Sequence, residues 1–303
     1  MVVQSHAKKR FARETKSDIV LLITLYTLLI IVSLAVLYPI IYVISSSFSS
    51  PNAVNSGKVV LLPVEFTTLG YERILQYKPL WMGFMNSTIY ALGSGLVSTT
   101  MTLLAGYPLS RKNFVGRNAI MIFMVFTMFF GGGLIPYYLL LNKLHLIDNR
   151  LVMIIPGAVS VFNVIIARTF LQANIPDELF DAATVDGCSH FRFFGSVVLP
   201  LSKPLIAILF LFAAVGAWNS YFNALVFLRS QELMPIQIVL RSILIQNQSF
   251  GKYGLVSVEM QKLKMNDLLK FGMIVIGTLP LMIAYPFVQK HFVKGVLIGS
   301  IKG

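Results

Sequence analysis

The sequence predicts an all-α fold, a polytopic membrane helical bundle of six transmembrane helices. Three observations carry this. Apolar residues make up 56% of the 303-residue chain and charged residues 12%, against roughly 25% charged in an average soluble domain. The apolar residues gather in runs of about 20 or more, the length that crosses a hydrocarbon core. The basic residues Lys8, Lys9, Arg10, Arg13 and Lys16 stand just before the first run, where positive side chains hold a terminus in the cytoplasm.

The first run is Ile19–Ser45. It is too long for the apolar core of a signal peptide, and no clear small-residue cleavage site follows. The next segment, Ser45–Trp81, is expected outside, and its stretch SSSFSSPNAVNSG reads as loop. The second run, Phe84–Tyr107, is peppered with Asn86, Ser87, Gly93, Ser94, Gly95, Ser98 and Thr99. Small residues let helices approach closely in a bilayer, so packing is the simple reading and a substrate role the alternative. Ser110–Asn118, with Arg111, Lys112 and Arg117, then falls inside.

The third run, Ala119–Leu141, contains Gly131, Gly132 and Gly133 followed by Pro136. These residues weaken a helix. Two readings stay open, a kink lining a pathway and a plain helix end near the outer interface. The fourth run, Leu151–Ala173, is interrupted by Arg168, which is expected to snorkel toward the nearer interface.

The polar stretch Asp181–Pro200 separates the fourth and fifth runs and parses as helix, glycine turn, helix. Pro176 suits a first helical turn, and Asp177 and Glu178 complement the positive end of its dipole. Leu179, Ala182 and Ala183 fall on one face. Gly187 is placed to end this helix in a left-handed conformation. Ser189 is placed to cap a second helix, with Phe191, Phe194 and Val198 on one side and Pro200 closing it. Neither helix is long enough to stand alone in water. An amphipathic loop lying on lipid is the plainer alternative.

The fifth run, Leu205–Leu228, holds Trp218, Asn219, Tyr221 and Asn223. Asn219 and Asn223, four apart, would share a face in the outer half of the helix. Amides beside aromatic rings suit sugars; an interfacial aromatic belt with helix-to-helix hydrogen bonds is the rival. An external loop, 229–267, follows. Its Arg229, Arg241, Lys252, Lys262 and Lys264 cut against the positive-inside rule, which long loops obey less strictly. Within it Ile236, Val239, Leu240, Ile243 and Leu244 keep helical spacing, with Gln237, Arg241, Gln246 and Asn247 elsewhere. That is an amphipathic helix for the outer interface or a partner. The sixth run is Leu268–Val288. The expected organisation is a basic cytoplasmic tail at 1–18, a membrane domain at 19–289 and a cytoplasmic tail at 290–303.

The net charge of +13 is not gathered on one face of a soluble domain, which argues against nucleic acid. A lone cysteine, Cys188, excludes a disulfide framework within the chain. His6, His145, His190 and His291 are scattered, and no zinc-spaced Cys/His cluster and no H-E-x-x-H occurs.

The Asp181–Pro200 stretch resembles the signature loop of permease subunits in type I ABC importers. Asp181, Ala182, Ala183, Asp186, Gly187, Phe194, Leu199 and Pro200 match that signature in register, with Asp for its first Glu and Cys188 for its usual small residue. The resemblance implies that residues 174–203 form a cytoplasmic coupling loop docking into a groove on an ATPase. Asp181, Ala182, Ala183, Asp186, Gly187, Cys188, Phe191, Phe194, Leu199 and Pro200 would carry that contact. The end of the chain is similar to the tail of the carbohydrate branch, through Phe292, Gly295, Gly299, Lys302 and Gly303. Sugar-importer permeases also carry a Trp-Asn-aromatic cluster like Trp218–Asn223 near the outer gate.

The resemblance thus implies a maltose-permease-like, non-catalytic subunit in a bacterial cell membrane, both termini cytoplasmic. It implies a second related permease, two ATP-binding subunits and an extracellular or periplasmic solute-binding protein. No G-x-x-x-x-G-K-[ST] occurs, so this chain holds no cofactor; ATP and Mg belong to the partners. The rivals are an ion-coupled secondary transporter, an importer permease for a non-sugar solute and a membrane anchor. An ion relay needs intramembrane ionisable residues; the six runs contain no Asp or Glu.

Overall fold

The computed structural model describes residues 15–250 and 269–286, and these contain helices and no strand. Lys8, Lys9, Arg10, Arg13, Lys252, Lys262, Lys264 and the tail residues Phe292, Gly295, Gly299, Lys302 and Gly303 lie outside the described residues. So do the side chains of Leu244, Gln246 and Asn247. The described residues fall into two compact units, 15–74 with 250 and 269–275, and 75–249 with 276–286.

In the first unit, helix α1 (Lys16–Ser47) starts at a capping box. Asp18 N–H donates to Thr15 Oγ1 at 3.3 Å and Thr15 N–H to Asp18 Oδ2 at 3.0 Å. Its apolar side chains from Val20 to Ile41 are exposed apart from the half-buried Leu22, as suits a helix whose surroundings are lipid or another chain. The serines at its end are not the expected loop. Ser45, Ser46 and Ser47 complete α1, and with Ser49 they are buried. Ser45 Oγ donates to Leu61 O at 2.6 Å, Ser49 Oγ accepts from Val64 N–H at 3.0 Å, and Ser47 Oγ meets Tyr71 Oη at 2.8 Å. Short hydroxyls satisfy buried backbone here. Helix α2 (Pro51–Asn55) is capped by Ser50, and α3 (Leu69–Gln76) buries Ile74.

The second unit is built on α4 (Lys78–Ser110), about 50 Å long at 1.5 Å per residue. Of the small residues of the second run, Gly93 and Gly95 pack closely, with a Cβ there meeting Ile154 at 2.8 Å and Phe210 at 2.6 Å, whereas Ser94 and Ser98 border a cleft. A Cβ at Gly106 would lie 2.9 Å from Ala167 Cβ on α7 (Val161–Asn174), so only glycine allows that approach.

The third run is broken. Helices α5 (Arg117–Phe129) and α6 (Leu134–Lys143) meet at 113° across the glycines. The fourth run is not one helix either. It is a 3₁₀ turn (Arg150–Met153), a Pro156-Gly157 turn and then the 14 residues of α7. Asn149 caps the turn, and proline and glycine stop the helix that the apolar run suggested. Arg168 reaches Asn118 Oδ1 through Nη2 at 3.5 Å.

Helices α8 (Asp177–Val185) and α9 (His190–Leu201) follow, and α9 bends by 81° into α10 (Lys203–Trp218). The fifth run breaks at Asn219–Ser220, before α11 (Tyr221–Phe227). Helix α12 (Ile236–Phe250) has the expected apolar face, but this chain covers it. Ile236, Val239 and Ile243 are buried; Ile236 lies against Gly83 of α4 and Leu240 against Gly277 of α13 (Leu269–Pro286). Among the described residues, α1, α4 and α13 are long and apolar enough to cross a membrane. Counting the bent pairs α5/α6 and α9/α10 as one span each gives five, so the expected six are not all single helices.

Candidate functional site

Two sites emerge, one at the C-terminal end of α4 and one beside its middle. At the Leu103–Ser110 end, the polar stretch folds as α8, a glycine turn and α9. Gly187 has φ +74°, and the end of α8 is closed twice: Gly187 N–H donates to Thr184 O at 3.0 Å and Cys188 N–H to Ala183 O at 2.8 Å. This is a Schellman motif, in which the left-handed residue favours glycine. Ser189 caps α9 by accepting from Arg192 N–H at 3.3 Å.

Helix α9 is not regular. Leu199 N–H donates to Phe194 O, five residues back, in a π-turn over Phe194–Val198. Pro200 has no N–H to continue an ordinary helix. It sits in the last turn rather than closing the helix; the chain turns at Ser202. The π-turn also changes which side chains point inward, because bonding five residues back aligns positions five apart. Phe193 and Val198 are fully buried, while Phe191 is 88% exposed. The expected shared face of Phe191, Phe194 and Val198 is therefore split.

Phe193 and Val198 join Leu103 of α4, Ala167 and Leu171 of α7, Ile175, and Leu205 and Leu209 of α10 in one cluster. Ala183, Cys188, Phe194 and Leu199 pack against it half-buried. Full burial of a phenylalanine contributes about 1.5–3 kcal/mol, so this cluster fixes two helices too short to hold themselves.

Arg111, read from the sequence only as a positive-inside charge, is the second anchor. Its Nη1 lies 3.5 Å from Asp177 Oδ1 and 3.4 Å from Ile175 O. Its guanidinium lies 5.1 Å from the Tyr107 ring centre and 5.6 Å from that of Phe193. The ring faces stand in for acceptors that Nε and Nη2 lack. Lys112 Nζ pairs with the other oxygen of Asp177 at 3.1 Å. What remains outward is Asp181, Ala182, Asp186 and Gly187, with the apolar Val185 (89% exposed) and Phe191.

Beside the middle of α4 lies a cleft of about 480 Å³. Its lining is uncharged, with Ser94 and Ser98 of α4, Tyr137, Asn163, Phe212 and Asn223 among it. Of the four aromatic-amide candidates, only Asn223 is there. Trp218 is buried; its Nε1 donates to Gly277 O at 3.1 Å, and its ring meets Phe84 edge-on. Asn219 donates to Val215 O at 3.0 Å and caps its own helix. Tyr221 is exposed beneath Arg241. The break at Asn219–Ser220 is why Asn219 and Asn223 share no face. Ser94 and Ser98 were readable as an i, i+4 pair; Asn163 carried no signal beyond being an amide in an apolar run.

The family model for the inner membrane component of binding-protein-dependent transport systems matches residues 98–298. The chain belongs to this family. Membership removes the ion-coupled reading and the simple anchor. The permease is 38% identical to the polygalacturonan/rhamnogalacturonan transport system permease protein YtcP of Bacillus subtilis, over 92% of this chain and 97% of that one. It is 30% identical to the maltodextrin transport system permease protein MdxG of Bacillus subtilis, over 92% and 95%. In three dimensions it matches a chain of a bacterial ABC transporter that imports the acidic polysaccharide alginate. That match has a TM-score of 0.82 and 33% identity, and covers 92% of this permease and 99% of the other chain. The permease is thus a helical component of a bacterial inner-membrane transport system.

Proposed function

We propose that this permease carries a sugar or oligosaccharide into the cytoplasm by alternating access, driven by ATPase subunits it does not contain. The observation that carries the reading is the seated helix–turn–helix at Asp181–Pro200. It is locked to α4, α7 and α10 by the Phe193 cluster and by Arg111, yet presents Val185 and Phe191 outward. An apolar pair on a rigid mount, with Asp181 and Asp186 nearby, suits docking into a groove on another protein. Movement of that partner would reach the membrane helices through the packed side chains of this mount.

The uncharged cleft with Ser94, Ser98, Asn163 and Asn223 is the proposed substrate pathway on this subunit. Amides and hydroxyls match sugar hydroxyls, and Tyr137 and Phe212 offer ring faces. Relatives named for sugars favour this class over a non-sugar solute. In this reading the loop at 174–203 and both termini are cytoplasmic, and the segment at 229–267 is external. A second permease, two ATP-binding subunits with ATP and Mg, and a solute-binding protein complete the machine.

The test is purification of the assembled complex, with ATPase activity measured against binding protein and candidate oligosaccharides. The reading expects an ATPase to copurify and to be stimulated by binding protein plus one sugar class. A complex with no ATPase overturns it; stimulation by non-sugar solutes alone overturns the substrate class.

A further inference from the structure

Asp148 lies between α6 and the 3₁₀ turn, and it grips the segment leaving α11. Its own N–H donates to Phe227 O at 2.8 Å. Its carboxylate accepts from Arg229 N–H and Ser230 N–H, both at 2.8 Å to Oδ1, and from the Ser230 hydroxyl at 2.6 Å to Oδ2. Arg229 Nη2 donates to Tyr138 Oη of α6 at 2.7 Å. Asp148 holds φ +57°, a left-handed conformation that costs energy outside glycine and persists where surroundings fix it.

The elements tied together here are the walls of the cleft. Helix α6 contributes Tyr137, the segment after Asp148 contributes Val152 and Met153, and α11 contributes Asn223 and Phe227. Helix α11 has seven residues and follows a break, so its ends decide where it sits. Before the break, Trp218 on Gly277 fixes the end of α10. Beyond the break, Asp148 holds the C-terminal end of α11.

We propose that Asp148 is a positioning residue for substrate recognition, fixing α11 so that Asn223 and Phe227 form a preformed wall of the cleft. The proposal rests on the cleft being the sugar pathway. A polar group displaced by even about 0.5 Å loses much of its discrimination, so the clamp acts through Asn223 without touching sugar.

The experiment uses the whole transporter with its ATPase and binding protein in proteoliposomes. The probe is a maltodextrin or an oligogalacturonate, whichever stimulates the ATPase. Asp148→Ala is expected to raise KM for uptake about tenfold with maximal rate within about twofold, a signature of lost binding rather than lost turnover. Asp148→Asn is expected to fall between, because its amide oxygen still accepts from the two backbone N–H groups. It also serves if the alanine variant does not accumulate. Maleimide labelling of Asn223→Cys in a Cys188→Ser background is expected to change rate when Asp148→Ala is added. If Asn223→Ala raises KM and the Asp148 variants do not, the positioning role is overturned. If Asn223→Ala is silent, the pathway reading has failed, and the labelling still decides the clamp. An unchanged labelling rate at the introduced thiol overturns it; a changed rate supports it.

Discussion

Arg111 Nη1 and Asp177 Oδ1 lie 3.5 Å apart and join the end of α4 to the first turn of α8. The pair brings two other elements with it, because the same guanidinium faces the rings of Tyr107 and Phe193. Asp177 is about a third exposed, so the ion pair alone contributes at most about 1 kcal/mol. The ring contacts add about 0.5–2 kcal/mol. Arg111→Ala is therefore expected to loosen α8 and α9 while the protein still inserts. Hydrogen exchange over 177–201 should rise, and sugar-stimulated ATPase should fall relative to basal ATPase. Unchanged exchange there would show that the Phe193 cluster holds the mount alone.

Gly187→Val should uncouple transport at normal membrane abundance. The position has φ +74° with open space around it, so the cost is backbone strain rather than a clash. Left-handed backbone costs a side-chain-bearing residue about 1–2 kcal/mol, and β-branching stiffens it further. The check is uptake alongside abundance; normal values for both would remove the turn from the coupling mechanism.

Val185→Ser with Phe191→Ser tests the outward pair. Both side chains are almost fully exposed, so folding stability should change by no more than about 0.5 kcal/mol. ATPase copurification should drop instead. Cys188 reports on the same surface, but it is half-buried against the Phe193 cluster. Its labelling by a membrane-impermeant maleimide should be slow, and confined to inside-out vesicles. Phe191→Cys with Cys188→Ser should label fast from that side and be protected by the ATPase. Labelling from the outer side would invert the topology.

The helix–turn–helix was legible because its signals are local. Gly187, Ser189 and the acidic first turn at Asp177 and Glu178 each act within a few residues, and each does so in the structure. Apolar runs gave the membrane class but not the helices, since Pro156-Gly157 and Asn219-Ser220 interrupt runs that hydropathy counts as continuous. That Val198 joins Phe193 on the inward side, five positions on, depends on a π-turn that no residue pattern announces. Arg111 and Asp148 were invisible as anchors because their partners lie 66 and about 80 positions away. The cleft was partly legible: Ser94, Ser98 and Asn223 stood out, the serines chiefly as packing residues, whereas Ser160, Asn163 and Ser220 did not, and only packing shows which of them meet.

The Asp148 clamp carries a pH signature whose sign follows from its bonds. The Ser230 hydroxyl, then the backbone N–H groups of Ser230 and Arg229, hold its carboxyl below the ordinary value of 3.8. A group lowered on folding contributes stability above its unfolded value and loses it as pH falls through the folded one. The clamp should therefore be complete from pH 7 to 5 and open only below 3.8. Hydrogen-exchange protection of the Arg229 and Ser230 amides, corrected for intrinsic rates, should stay level over that upper range and drop beneath it. Asp148→Asn removes the titration while keeping the acceptor for both amides, so its protection should be lower but flat. If the asparagine variant loses protection over the same acid range, another group opens the segment and Asp148 is not its proton switch.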